Sequence, residues 1–135
     1  MTYVGGCLCG ALRYEADGEP TLAGHCYCGD CRKASGSGFI PFLSFPATAV
    51  RITGATRQMR SPAASGNEAV RNFCAACGSL VYGGLLGTAR RHTIYAGTLD
   101  DPSQFRPTVA IFTRGRPAWA VIPDDFEVFA GMPMS

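Results

Sequence analysis

Residues 25–31 form the sequence His-Cys-Tyr-Cys-Gly-Asp-Cys, which brings Cys26, Cys28 and Cys31 within six positions of one another. Thiols at this spacing are typical ligands of a metal ion, and a closed zinc site needs four ligands. These three cysteines, called the triplet below, supply one ligand too few. Either another part of the chain provides the fourth, or the fourth position stays open to water or substrate.

The other four cysteines occur as two close pairs. Cys7-x-Cys9 is the N-terminal pair, and Cys74-x-x-Cys77 is the C-terminal pair. A Cys-x-x-Cys sequence followed by glycine, as in residues 74–78, can form a tight turn in which backbone N–H groups point at the sulfurs. The sequence therefore predicts at least one metal-binding turn besides the triplet.

Three partitions of the seven cysteines are open. Cys28 and Cys31 could join the C-terminal pair in a Cys₄ ribbon, which leaves three cysteines unused. The two pairs could instead form a closed Cys₄ site, and the triplet a three-thiolate site with an open position, the usual composition of catalytic zinc. Disulfide or redox use is the third, but no thioredoxin-like βαβ pattern surrounds the cysteines. The second partition uses every cysteine and is favoured.

Zinc is the predicted metal at both sites, giving two ions, because thiolate-only ligation suits it. Iron–sulfur chemistry also uses clustered cysteines, so spacing alone leaves the metal open.

Composition limits the class of protein. The chain has 135 residues, 47% of them hydrophobic and 16% charged, which predicts one compact domain over residues 1–135. The net charge of +2 comes from scattered Lys and Arg, so neither a nucleic-acid nor a membrane partner is expected. Seven cysteines without a secretory signal or a long apolar segment favour a reducing compartment, the cytoplasm.

The pattern along the chain predicts a mostly antiparallel β protein. Seventeen glycines and nine prolines divide it into short segments. In residues 11–16, Leu12 and Tyr14 alternate with Arg13 and Glu15, as in a half-buried strand. The other predicted strands are Phe39–Phe45, Val50–Thr53, Ser79–Tyr82, Thr93–Ala96, Thr108–Thr113 and Trp119–Ile122. We expect at most a helical turn after Cys31 and an exposed loop over Ser61–Asn67.

Three motifs resemble the glutathione-dependent formaldehyde-activating family, which also includes centromere protein V. They are GGCLCGALRY at 5–14, HCYCGDCRKASG at 25–36 and NFCAACGS at 72–79, and the run HTIYAGTLDDP at 92–102 and RPAW at 116–119 match the family's usual ending. The resemblance implies a mostly β fold of antiparallel sheets in a tent-like (Mss4-like) arrangement. It also implies a structural zinc on Cys7, Cys9, Cys74 and Cys77, and a catalytic zinc on Cys26, Cys28 and Cys31.

The reaction that the resemblance implies is reversible carbon–sulfur bond formation between glutathione and formaldehyde, giving S-(hydroxymethyl)glutathione. We therefore expect a zinc-dependent carbon–sulfur lyase whose partner is a small thiol or thiol adduct. The rival interpretation is a non-enzymatic, zinc-stabilised interaction module in which both sites are structural and His25 fills the fourth position of the triplet. Either could be a monomer or a homodimer.

Several other polar side chains are weaker candidates. His25 could relay protons but is expected to pack on a strand, and His92 is expected to be a surface or core residue rather than a ligand. Asp30 could orient the site, and Arg32 or Lys33 could hold a substrate carboxylate, although solvated surface positions are the simpler interpretation. Trp119 is expected to pack in the core.

Overall fold

Strands dominate the fold, and the one α-helix among the described residues is short. The structure, a computed structural model, describes residues 1–63 and 66–133. The helix α1 spans Gly29–Ser35. The strands are β1 Thr2–Gly6, β2 Arg13–Asp17, β3 Leu22–Cys26, β4 Ile40–Pro46, β5 Val50–Thr53, β6 Thr56–Pro62, β7 Glu68–Cys74, β8 Leu80–Gly83, β9 Arg91–Tyr95, β10 Val109–Ile111 and β11 Glu127–Val128.

The strands form two sheets. The smaller has the order β1-β2-β5, and the larger has the order β11-β10-β3-β4-β9-β8-β7-β6. Pairing is antiparallel except at one end of the larger sheet, where β10 runs parallel to both β3 and β11. The predicted mostly β, antiparallel fold is confirmed, with these two parallel pairings as the exception.

The two faces of the larger sheet have different surroundings. Leu43, Ile94 and Tyr82 are paired across β4, β9 and β8, so their side chains share one face. They belong to the main core, which they share with Tyr3 and Tyr14 of the smaller sheet. The smaller sheet therefore covers one face of the larger sheet, and the other face is left for a cleft.

A glycine permits the parallel pairing of β10 with β3. Gly24 lies opposite Val109, and a Cβ atom on Gly24 would stand 2.2 Å from the Val109 carbonyl oxygen. Any larger residue would push β10 away. Because the same pairing places Ile111 of β10 opposite Cys26, the last residue of β3, this contact also fixes the surroundings of Cys26.

Most predicted strands are confirmed: Val50–Thr53 has the predicted bounds, and the bounds of the others shift by one or two residues. Leu12 and Tyr14 are buried and Glu15 is exposed, as the alternation predicts. The predicted strand Trp119–Ile122 is wrong, because these residues form a turn and irregular chain after Pro117. Pro117 accepts a hydrogen bond from the Ala120 N–H at 3.0 Å, which closes that turn.

Two further predictions need correction. The helix after the triplet has seven residues and begins at Gly29, inside the cysteine motif, because Cys28 caps it. The predicted loop at Ser61–Asn67 is shorter than expected, since Ser61 and Pro62 are paired in β6. Positions 64 and 65 of that loop lie outside the described residues.

Among the described residues, no helix is both long and apolar enough to cross a membrane.

Candidate metal centres and active site

The two cysteine pairs meet in space although more than 60 residues separate them in sequence. The Sγ atoms of Cys7, Cys9, Cys74 and Cys77 all lie within 4.8 Å of one another. The Cys7–Cys9 sulfurs are 3.6 Å apart and the Cys9–Cys74 sulfurs are 3.8 Å apart. Four sulfurs around tetrahedral zinc, each about 2.3 Å from it, would be about 3.8 Å apart. The four-cysteine cluster therefore fits a zinc ion without rearrangement.

Backbone N–H groups surround the sulfurs of this cluster. The Leu12 N–H donates to Cys7 Sγ at 3.2 Å, and the N–H groups of Ala76 and Cys77 donate to Cys74 Sγ at 3.4 Å. Such donors stabilise thiolates, the form that binds metal. The cluster joins the end of β1 to the turn between β7 and β8, and so connects the two sheets.

The triplet forms a separate cluster. The Sγ atoms of Cys26, Cys28 and Cys31 lie within 4.8 Å of one another, and those of Cys26 and Cys31 are 3.3 Å apart. Cys26 ends β3, Cys28 is the N-cap of α1, and Cys31 lies in the first turn of α1. The Cys31 N–H donates to Cys28 Sγ at 3.1 Å, so the helix cap also orients a candidate ligand.

The two clusters group the cysteines as the second of the three partitions does. The structure brings the two pairs together and keeps the triplet apart, so a ribbon of Cys28 and Cys31 with the C-terminal pair is not formed. All seven cysteines are free thiols, so the disulfide option is not realised either.

The three thiols of the triplet ionise as a coupled group. Hydrogen bonds from Cys26 and then from Cys31 lower the pKa of Cys28, whereas the hydrogen bond with Cys28 raises the pKa of Cys26. These hydrogen bonds and the Cys31 N–H favour the thiolate form of Cys28. A divalent cation provides the positive charge that lets the remaining thiols ionise.

A cleft of about 350 Å³ opens beside the triplet, and Cys26 and Cys31 line it. Its wall is the face of the larger sheet that the smaller sheet leaves uncovered. Paired positions place five residues in one row across that face, in the order Leu22, Ser44, Thr93, Gly83 and Arg71. All five line the cleft.

Two polar residues of the cleft were not singled out by the sequence. Arg71 is 7% exposed, and its Nη2 lies 3.8 Å from Cys31 Sγ. Tyr95 lies in the next row, and burial raises the pKa of its hydroxyl, so it stays protonated. The side chain missing at Gly83 leaves room for this hydroxyl, since a Cβ there would stand 3.1 Å from Tyr95 Oη. Only cross-strand register brings these residues to the triplet.

His25 lies on the opposite face of β3 from Cys26, because successive side chains of a strand alternate. Its ring stacks on Phe39 with the ring centroids 4.0 Å apart, and its Nδ1 donates to the Tyr27 hydroxyl at 3.3 Å. That hydroxyl in turn donates to the Val121 carbonyl at 3.2 Å. Burial lowers the pKa of His25 to about 4, so the ring is neutral near pH 7. The strand-packed interpretation is confirmed, and His25 is not a member of the triplet cluster.

The remaining candidates lie away from the cleft. His92 was expected at the surface or in the core, and the structure places it in the core: it is buried, and its Nδ1 lies 3.1 Å from the Gly83 carbonyl oxygen. Arg32 and Lys33 do not line the cleft, and exposed Asp30 accepts from the Ser61 hydroxyl at 3.4 Å. The expected core position of Trp119 is wrong: the ring lies over Gly38 but is 70% exposed, because the turn after Pro117 holds it at the surface.

Comparison with known proteins agrees with this geometry. The family model described as glutathione-dependent formaldehyde-activating enzyme matches residues 2–115, which include both cysteine clusters and every cleft residue named above. The chain belongs to this family. No curated protein matches the chain.

A solved structure of a Rhodobacter sphaeroides protein, a structural genomics target, has a similar fold to this family member. The alignment covers 93% of this chain and 98% of that chain, with a TM-score of 0.54 and 18% sequence identity. At this identity the likeness concerns the fold alone.

Proposed function

We propose that the protein is a zinc-dependent carbon–sulfur lyase that forms or breaks a thiol adduct such as S-(hydroxymethyl)glutathione. The observation that carries this proposal is that the triplet opens on to the cleft through Cys26 and Cys31, whereas none of the other four cysteines lines it. A cluster with three ligands beside a cleft fits a catalytic metal, and a cluster with four fits a structural one. We accordingly assign the catalytic zinc to the triplet and the structural zinc to the two pairs.

The donor atoms support zinc at both clusters, because both consist of thiolates alone. When bound to the triplet, zinc would supply the positive charge that lowers the pKa of an incoming thiol.

The side chains of the cleft perform the remaining tasks. Ile40, Phe42 and Ile111 form an apolar wall that limits the access of water. The protonated Tyr95 hydroxyl is a donor for the oxygen of an aldehyde. A volume of about 350 Å³ lies at the lower end of the range for small-molecule sites, so the cleft suits a small thiol adduct.

The proposed reaction conserves all atoms of thiol and aldehyde. The thiol sulfur forms a bond to the aldehyde carbon as the carbonyl π bond breaks. The proton lost by the thiol ends on the new hydroxyl oxygen, and the reverse reaction restores both reactants. The family's description names glutathione and formaldehyde, which makes them the first substrates to test.

The interaction-module alternative needs a protein ligand in the fourth position of the triplet. His25 was the nearest candidate, and its ring faces away from the triplet, against Phe39. The open position therefore favours the enzyme. We further propose a single domain over residues 1–135, present as a monomer or homodimer in the cytoplasm, where free thiols persist.

The test is the rate of exchange between glutathione and S-(hydroxymethyl)glutathione, measured by two-dimensional NMR exchange with formaldehyde present. We expect the wild-type protein to accelerate exchange and the Cys28→Ser variant to leave it at the spontaneous rate. Heat-denatured protein with an equal amount of free zinc is the control. A wild-type protein with two bound zinc ions and no acceleration would support the interaction module instead.

A further inference from the structure

Arg71 is a buried cation without a carboxylate partner among the described residues. Its guanidinium is held by two groups: Nη1 donates to the Ser61 hydroxyl at 3.0 Å, and Nη2 lies 3.8 Å from Cys31 Sγ. The four ion pairs found in the described part of the chain all involve other arginines. A buried charge without a counterion is strongly unfavourable, so a negative charge must lie close by.

The nearby carboxylates do not supply that charge. Glu68 lines the cleft, but its Oε1 is 2.7 Å from Nη1 of Arg60 and forms an ion pair with it. Asp30 is exposed and reaches Arg71 only through Ser61, which donates to it at 3.4 Å. Of the two described groups that contact the Arg71 guanidinium, the Ser61 hydroxyl and the Cys31 sulfur, only the sulfur can carry a negative charge near neutral pH. The thiolates of the triplet are therefore the counterion of Arg71.

The net charge of the triplet with a bound metal ion explains why a positive counterion would favour ligand binding there. Three thiolates around a divalent cation leave one excess negative charge, and a fourth thiolate would leave two. The cleft is largely apolar and only partly open to water, so a second excess charge would be poorly screened there. A fixed positive charge beside Cys31 offsets one of these two excess negative charges.

We propose that Arg71 is the positioning residue that makes the triplet receptive to an anionic sulfur ligand, by neutralising excess negative charge at Cys31. The inference rests on the proposed function and adds that the substrate binds as a thiolate. It differs from a role in which Arg71 holds a carboxylate of the substrate, because the guanidinium faces the cysteine sulfur itself.

The row of paired residues across the sheet explains how Arg71 reaches the triplet. Arg71 lies opposite Gly83, and Gly83 lies opposite Thr93, so no large side chain stands beside the guanidinium in this row. Ser61 then fixes the second branch of the guanidinium. This anchoring points the positive charge at Cys31 instead of at solvent.

The test uses the full-length protein with cobalt(II) in place of zinc, because a fourth sulfur ligand changes the sulfur-to-cobalt absorption. Two thiols of similar size are titrated: 2-mercaptoethanol, which is neutral apart from its thiol, and 3-mercaptopropionate, which adds a carboxylate. The proteins are wild type, Arg71→Lys, Arg71→Gln and, as matched control, Arg57→Gln. Arg57 is an exposed arginine on the neighbouring strand β6 that does not line the cleft.

We expect Arg71→Gln to bind both thiols about tenfold or more weakly than wild type, because it loses the positive charge. Arg71→Lys should retain most of the affinity, and Arg57→Gln should match wild type. Equal affinities for the Lys and Gln variants would overturn the proposal. A loss confined to 3-mercaptopropionate would also overturn it and would make Arg71 a carboxylate-binding residue.

Two outcomes separate the possible failures. If no thiol changes the wild-type cobalt spectrum, the proposed function itself fails; if thiols bind wild type and Arg71→Gln equally well, only the role of Arg71 fails. If Arg71→Gln does not fold, the wild-type protein decides the question. Thiocyanate, a small anion, should then bind about tenfold more tightly than neutral imidazole, and the reverse order would overturn the proposal.

Discussion

Cys28 has two roles that a substitution can separate. It is a candidate metal ligand, and its sulfur accepts the Cys31 N–H at 3.1 Å as the N-cap of α1. Serine is among the preferred N-cap residues, so its hydroxyl can take over the cap while being a poor metal ligand. The Cys28→Ser variant should therefore remove the metal-binding role and keep the helix.

We expect Cys28→Ser to bind one zinc ion where wild type binds two, with an unchanged far-ultraviolet circular dichroism spectrum. Elemental analysis of the purified variant measures the first quantity. Cys28→Ala, which loses both ligand and cap, is the comparison and should be less stable by about 1 kcal/mol. A Cys28→Ser protein that keeps two zinc ions and full exchange activity would contradict the assigned role.

The exposed cysteines of the other cluster allow a test of metal binding with little effect on packing. Cys9 is exposed, so replacing it with alanine buries or uncovers little apolar surface. Any large loss of stability must then come from the lost ligand. We expect Cys9→Ala to lower the free energy of unfolding by several kcal/mol, on the order of structural zinc contributions.

Chemical denaturation of Cys9→Ala measures this loss, and Leu8→Ala is the control. Leu8 is 92% exposed and precedes Cys9, so its replacement should stay within about 0.5 kcal/mol of wild type. If Cys9→Ala is as stable as Leu8→Ala, the four-cysteine cluster does not hold a structural metal.

At the scale of the elements, β3 is held by a neighbouring strand on each side and also supplies a cysteine of the triplet. It pairs with β4 on one side and β10 on the other, and its last residue is Cys26. Replacing Gly24 with alanine would force a methyl group against the Val109 carbonyl. We expect a loss of about 1–3 kcal/mol in the free energy of unfolding, as for other overpacked positions, together with weaker metal binding by the triplet.

Gly97→Ala is the matched control for that substitution, because a Cβ at Gly97 meets no atom within 4 Å. Thermal unfolding of both variants supplies the comparison. Equal midpoints for Gly24→Ala and Gly97→Ala would show that β10 does not approach β3 as closely as the structure has it.

Alternation and turn residues predicted the elements with clear patterns and missed those without them. The strand around Leu12 and Tyr14 was predicted because its buried and exposed residues alternate. Strand β6 was missed because nearly all its residues are exposed and polar, and pairing with β7 along its whole length holds it in place. The opposite error occurred at Trp119–Ile122, where a strand was predicted and the chain forms a turn. An aromatic residue in a turn gives the same local sequence signal as one in a strand.

For the whole molecule, spacing was enough to group the seven cysteines but not to find the other residues of the site. The favoured partition follows from counting ligands, which needs no coordinates. Arg71 and Tyr95 reach the triplet only through the register of β7, β8 and β9, which a single sequence does not reveal. The grouping of the cysteines could therefore be predicted, and the cleft could not.

The central claim is that the triplet holds its own metal with an open position. The most direct measurement is zinc stoichiometry by elemental analysis of protein purified under reducing conditions, for wild type and for a variant with Cys26, Cys28 and Cys31 all replaced by serine. We predict two zinc ions in wild type and one in the variant, with both proteins folded. One zinc ion in each protein would contradict the claim, because the triplet would then hold no metal.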